Sequence, residues 1–327
     1  MAPGSNGGCR LGVSYGPESD LYSFPPPHPF RNSRTELFKE SLANLLAQRS
    51  GSGSLTIVKP KPAEMDDLLL FHEPEYIELV KESSRVGEGL LDYGDTPAFK
   101  GVYEASLLTV GNSLNGLRLV LKGDFDHFFN PVGGLHHARS DRAGGFCVFN
   151  DAAIAVRKAI TDSGLNKVAY VDIDAHHGDG VFYAFESEPR VIIGDIHEDG
   201  RYLYPGTGSE LETGQGPARG TKLNIPLPPG AGDTEFFGAM DRVMEFIRGF
   251  RPEFIFLQCG ADGLEGDPIT HLRYSPKAHA YAAKKLHSLA HELCSGRLLA
   301  MGGGGYDPRN VSAAWSAVIR ELIGASD

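Results

Sequence analysis

The chain has 327 residues, 41% of them hydrophobic and 22% charged, with a formal net charge of −11. That composition supports a packed globular core in one large α/β domain, residues 1–327, and no apolar run approaches the ~20 residues that cross a bilayer. The acidic balance, without a Lys/Arg block, argues against direct nucleic-acid binding and is compatible with a basic substrate.

At the start, MAPGSNGGCRLGVSY lacks the charged-then-apolar pattern of a secretory signal, so a cytoplasmic location is expected. Short apolar, β-branched runs then recur along the chain: RLGVSY (10–15), LTIVKP (55–60), HFFNPV (127–132), VAYVDID (168–174), VIIGDIH (191–197), TKLNIPL (221–227), FIFLQCG (254–260) and RLLAMGG (297–303). Several are apolar on both faces, as strands inside a parallel sheet are. Helical patterns lie between many of them, at 33–49, 232–250, 275–294 and 310–324. The alternation predicts a doubly wound, mostly parallel α/β sheet with helices on both faces. Long loops are expected between Gly16 and Asn32 and between Asp199 and Gly220; no repeat or linker divides the chain. Cys9, Cys147, Cys259 and Cys294 are far apart, and no CxxC pair marks a zinc knuckle or redox site. Cys147 and Cys259 read as buried thiols among apolar neighbours.

Polar clusters follow four of the strands. HHARSD follows HFFNPVGG, DAHHGD ends the VAYVDI run, GADGLEGDP follows FIFLQC, and GGGGYD follows RLLAM. Ligands of open α/β sheets bind at the carboxyl ends of the strands, so these clusters are expected to converge there. Asp174 and His176 lie two apart at a strand end, where both side chains can grip one cation. A catalytic zinc wants a third protein ligand, and Asp262 is the natural one. The plainer alternative is that Asp172 and Asp174 cap the next helix and His176 is a surface residue. His136 and His137 are either a chance pair on a loop or a proton-transfer pair oriented by Asp172 and Asp179. Tyr306 follows four glycines, Gly302 to Gly305, which permit a sharp turn and, at Gly304, close approach to a ligand. Its phenol either packs on the next helix or donates to an oxyanion. No GK[ST] follows the glycines, which discounts a phosphate loop.

Taken together, LHHARSDRAGGFCVFND, VDIDAHHGDGV, YPGTG, GADGLEGDP and MGGGGY resemble, in order and spacing, the arginase/deacetylase superfamily. More closely they resemble its zinc-dependent histone deacetylase and acetoin-utilisation protein family, in particular class I-like prokaryotic members. The likeness runs from SFPPPHPFRNSR to GGGGYDPRNVSAAW. It implies an arginase/deacetylase-type fold and a zinc-dependent lysine deacetylase that hydrolyses acetyl-lysine on a protein or peptide. Asp174, His176 and Asp262 match the zinc ligands. His136 and His137 match the catalytic histidines, with Asp172 and Asp179 as their partners, and Tyr306 the catalytic tyrosine. Gly145 and Phe146, with Tyr204 opposite, match the walls of an acyl-lysine tunnel. Asp95 matches a rim aspartate that binds the substrate backbone, and Arg34 an arginine of an internal acetate channel. A structural potassium is implied through backbone oxygens near Asp172, Asp174 and His176.

Three positions depart from the family pattern. Tyr204 stands where phenylalanine is usual. Asp195 replaces a small hydroxyl residue near the potassium. Ile269 stands where an acidic residue would mark a polyamine deacetylase. The chain ends soon after its last helix, which is expected of a prokaryotic-type enzyme. The alternatives are a deacetylase of small amides such as acetylpolyamines, a binuclear-manganese ureohydrolase whose second carboxylate set does not stand out, and a catalytically silent binding scaffold. The resemblance assigns no oligomeric state.

Overall fold

The computed structural model describes residues 8–48 and 53–324. The first seven residues and Arg49, the end of the first predicted helix, lie outside that range, as do residues 325–327 of the expected domain.

All eight apolar runs form strands: β1 (Arg10–Ser14), β2 (Ser54–Val58), β3 (His127–Asn130), β4 (Val168–Asp172), β5 (Val191–Glu198), β6 (Lys222–Leu227), β7 (Ile255–Gln258) and β8 (Leu298–Met301). They form one sheet in the order β2-β1-β3-β8-β7-β4-β5-β6. Every neighbouring pair is parallel, so the expected mostly parallel sheet is wholly parallel among the described residues.

The helices are α1 (Glu36–Ala47), α2 (Met65–Leu68), α3 (Pro74–Val86), α4 (Val102–Lys122), α5 (Asp151–Thr161), α6 (Asp179–Ala184), α7 (Asp233–Phe250), α8 (Pro276–Leu293) and α9 (Pro308–Leu322). Local chemistry sets where the last two begin. Ser275 accepts from Lys277 N–H ahead of α8, and Asp307 accepts from Arg309 and Asn310 N–H ahead of α9. Each has proline in its first turn, where no backbone donor is needed.

Strand alternation splits the core in two. Val171, Leu257 and Ala300 face α1, α7, α8 and α9. Tyr170, Phe256 and Leu299, one residue earlier on the same strands, face α4, α5 and α6. Each aliphatic side chain buried this way contributes about 1.5–3 kcal/mol. A third cluster, built on Tyr22, Phe24, Phe30, Tyr76, Val148 and Phe149, lies under the loops near the carboxyl ends of the central strands. The long predicted loops contain only one-turn 3₁₀ helices, Pro17–Asp20 and Gly216–Ala218.

Candidate active site

Strands β3, β8, β7 and β4 are consecutive in the sheet. The four polar clusters therefore leave four adjacent strands at the same end and meet by topology.

After β4 the chain runs irregularly through Asp174 and His176 before α6 begins. Asp174, His176 and Asp262 are buried, and their ligand atoms lie within 4.8 Å of one another. His176 Nδ1 faces Asp174 Oδ1 at 3.1 Å and Asp262 Oδ2 at 3.0 Å. Burial opposes charge on His176, yet the two carboxylates outweigh it and raise its pKa to about 10. Two buried carboxylates demand a cation between them. One imidazole with two carboxylates is a donor set that fits a zinc ion. The capping alternative fails, because the N-cap of α6 is Gly178 and no side chain caps it. The surface alternative for His176 fails on burial.

Beside the triplet stand the paired histidines. His136 Nδ1 is 2.8 Å from Asp172 Oδ2, and His137 Nδ1 is 2.7 Å from Asp179 Oδ1. Their Nε2 atoms are 3.1 Å apart. Two adjacent buried imidazoles cannot both be charged cheaply, and their surroundings separate them. Burial pulls His136 down, but Asp172 and Asp174 prevail and hold it at about 10. Burial and the neighbouring His136 depress His137 to about 4, despite Asp179.

His136, His137, Asp174 and His176 line a narrow cleft together with Phe30, Gly145, Gly304 and Tyr306. A larger hollow bordered by Lys61, Asp67, Arg118 and Lys158 contains no buried titratable group, so volume alone does not mark the site. Gly304 N–H donates to Asp174 Oδ2 at 2.9 Å, and a Cβ there would strike the carboxylates of Asp262 and Asp174. At Gly145, φ is +51° and a Cβ would hit the His137 ring. Only glycine is accommodated at either position. Burial first, then Asp262 and Asp174, push the Tyr306 phenol up, so it stays protonated and able to donate.

The remaining predicted residues surround this cleft at different depths. The Tyr204 ring stands edge-on to His137, centroids 5.1 Å apart, and is 47% exposed. Phe146 packs edge-on against Tyr306, centroids 5.8 Å apart. Arg34 is buried behind the glycine loop and donates to the carbonyls of Gly305 at 2.6 Å and Gly303 at 2.7 Å, with its guanidinium over the Phe30 ring. Asp95 is exposed on an outer turn, where Asp92 Oδ1 accepts three successive backbone N–H groups. Partial burial and then Asp92 raise the Asp95 carboxyl to about 6. Ile269 is half-buried, and its N–H donates to Asp267.

Several site residues gave no signal in the sequence. Gln258, at the end of β7, donates to Asp174 Oδ2 at 2.9 Å. Tyr170 donates to Asp172 Oδ2 at 2.7 Å, and Arg139 to Asp179 Oδ2 at 2.7 Å. Asp267, two residues before Ile269, turns inward to accept from Tyr306 N–H at 2.8 Å. Asp195, which the sequence did single out, is buried, paired with His197 at 2.6 Å and accepting from Gly178 N–H.

The solved HDA15 HD domain has the same fold, with a TM-score of 0.86 at 28% identity over 97% of this chain and 90% of that one. The molecule thus has the α/β fold of the deacetylase class. Residues 28–322 match the histone deacetylase domain, and the chain belongs to that family. Acetoin utilization protein AcuC of Bacillus subtilis is 39% identical over 322 residues, covering 95% of this chain and 81% of that protein. A protein of Archaeoglobus fulgidus described as a probable deacetylase is 33% identical over 302 residues, covering 90% and 81%.

Proposed function

We propose that this chain is a zinc-dependent lysine deacetylase that hydrolyses acetyl-lysine on a protein or peptide to lysine and acetate, with residues 1–327 acting as one catalytic domain in the cytoplasm. The reading is carried by one observation: an imidazole held by a carboxylate, His137 with Asp179, lines the same cleft as Asp174 and His176 of the Asp174–His176–Asp262 donor set. Those three residues would hold the metal, which when bound supplies Lewis-acid polarisation of a carbonyl and of a water.

The chain's own groups do the rest. Gly145, Phe146 and Tyr204 wall the acyl-lysine stem. His137 takes a proton from the attacking water, as the less basic of the two imidazoles at neutral pH. The Tyr306 hydroxyl donates to the oxyanion as the amide carbon becomes tetrahedral. The C–N bond then breaks, and the protonated histidine returns its proton to the lysine amine. His136, held by Asp172, keeps a positive charge beside the cleft. Arg34 fixes the loop that carries Tyr306 through the carbonyls of Gly303 and Gly305. Asp95 accepts backbone N–H groups of the substrate at the rim. A structural potassium belongs to the same proposal, through backbone oxygens near Asp172, Asp174 and His176; Asp195, paired with His197 at 2.6 Å, stands there in place of a small hydroxyl residue.

Ile269 favours peptides over acetylpolyamines, because the carboxylate of that segment, Asp267, is turned inward to the backbone. The test is turnover on acetylated and longer-acylated lysine peptides and on acetylspermidine, with and without chelator. Chelator-sensitive hydrolysis of the peptides supports the reading. Preference for acetylspermidine would replace it with the small-amide alternative, and no turnover of any substrate would favour a silent scaffold.

A further inference from the structure

A second group of metal-type donors lies at the opposite edge of the sheet, outside every residue used so far. Cys9 immediately precedes β1, His127 opens β3, and His287 and His291 stand one turn apart on α8. Positions i and i+4 of a helix share one face, so both α8 imidazoles are presented together. Cys9 Sγ is 3.1 Å from His291 Nε2, and His127 Nε2 is 3.0 Å from His287 Nδ1. All four ligand atoms lie within 4.8 Å of one another.

We infer that Cys9, His127, His287 and His291 form a second metal site, one that takes zinc or a similar borderline-soft divalent cation and staples the start of the chain to α8.

Hydrogen bonding alone accounts poorly for this cluster. His127 is fully buried, yet its Nε2 faces another imidazole nitrogen and its Nδ1 has no hydrogen-bond partner among the described residues. Two facing imidazole nitrogens share at most one proton, whereas a cation takes a lone pair from each. The nearest carboxylate, Asp126, is engaged by Arg10 at 2.8 Å. A thiolate with imidazoles is the ligand chemistry of zinc, and four protein ligands make a closed structural site rather than a catalytic one. Tetrahedral zinc bond lengths set donor separations of roughly 3.3–3.6 Å, so the two short pairs need only small adjustments. Cys9 and His287 are partly exposed and His291 is exposed, which gives an ion a route from solvent. The ligands join residues as far as 282 positions apart, where a cross-link constrains the unfolded chain strongly.

The test uses the whole protein and the metal alone. Zinc content is measured after loading and dialysis for the wild type, Cys9→Ser, His291→Gln and Asp262→Ala. The inference predicts two ions per chain in the wild type and one in each variant. Cobalt loading then tells the sites apart, because the Asp174–His176–Asp262 set contains no sulfur. A thiolate-to-cobalt charge-transfer absorption is expected in the wild type and in Asp262→Ala, and its loss in Cys9→Ser. His291→Gln, at an exposed position, should weaken or abolish the absorption without disturbing the fold. Absence of the absorption from cobalt-loaded wild type, or equal zinc content in Cys9→Ser and wild type, overturns the inference. Neither readout involves turnover, so the result stands apart from the deacetylase proposal.

Discussion

The two edges of this sheet gather metal-type donors in contrasting ways. At the carboxyl edge the set is one imidazole and two carboxylates, all buried, beside a cleft. At the amino edge it is one thiol and three imidazoles, partly open to solvent. Three ligands beside open space leave room for a substrate, while four ligands close a coordination sphere. The carboxyl edge also has a supporting layer: Gln258, Tyr170, Arg139 and Gly304 each donate to a site carboxylate. Preorganised charge belongs where a reaction develops charge, and the carboxyl edge has it.

The largest expected effect breaks one edge and spares the other. Asp262→Ala should lose the carboxyl-edge metal and lower turnover of an acetyl-lysine peptide by more than roughly 10³, since the metal supplies several kcal/mol. Metal analysis and a rate assay on the same sample check it, and turnover near wild type would reject the ligand set. Tyr306→Phe should cost ~10²–10³ in kcat and leave metal content unchanged. A rate close to wild type would leave the phenol as a packing group.

The next effect concerns stability behind the paired histidines. His72 is buried and accepts from Asn150 N–H at 2.9 Å, and burial lowers its pKa to about 3. Its unfolded value is about 6.5, so between these values the unfolded chain holds the extra proton. Stability from this residue is therefore full above about pH 6.5 and is lost as pH falls toward 3. At pH 5 the loss relative to pH 7 should be about 2 kcal/mol. Denaturant unfolding of wild type and His72→Gln at both pH values checks this; an equal pH dependence in the two would show that His72 is not the group responsible.

Asp95→Ala, at the rim, should lower kcat/KM on a peptide by at least about tenfold, the equivalent of ~1.4 kcal/mol. A small acetyl-lysine analogue without flanking amides should be affected far less. Because the Asp95 carboxyl titrates at about 6, the peptide's advantage should grow as pH rises through that value. Equal losses on both substrates would remove Asp95 from substrate recognition.

The contrast between the edges also separates what the sequence disclosed from what it hid. The strands were legible because each is an apolar run bounded by loops, and the carboxyl-edge cluster because its residues sit within a few positions of strand ends. Helix α4 was not singled out. Its buried face includes Ser106, Thr109, Asn112 and Ser113, which blur the apolar stripe that would reveal a helix. Gln258 and Tyr170 were hidden because one polar residue inside an apolar strand has no periodic signature. They acquire meaning only when β7 pairs with β4. The amino-edge cluster has only the His287/His291 spacing as a local signal, since His127 and His287 are 160 positions apart and Cys9 precedes both. The absence of a CxxC pair argues against a knuckle and says nothing about a site assembled by the fold.

The most direct test of the carboxyl edge's role is product analysis on one acetyl-lysine peptide, using the wild-type protein before chelation, after chelation and after zinc is restored. The account predicts acetate and deacetylated peptide in equal amounts, lost on chelation and recovered with zinc. An intact peptide after zinc restoration, in protein that has demonstrably regained its metal, would contradict it.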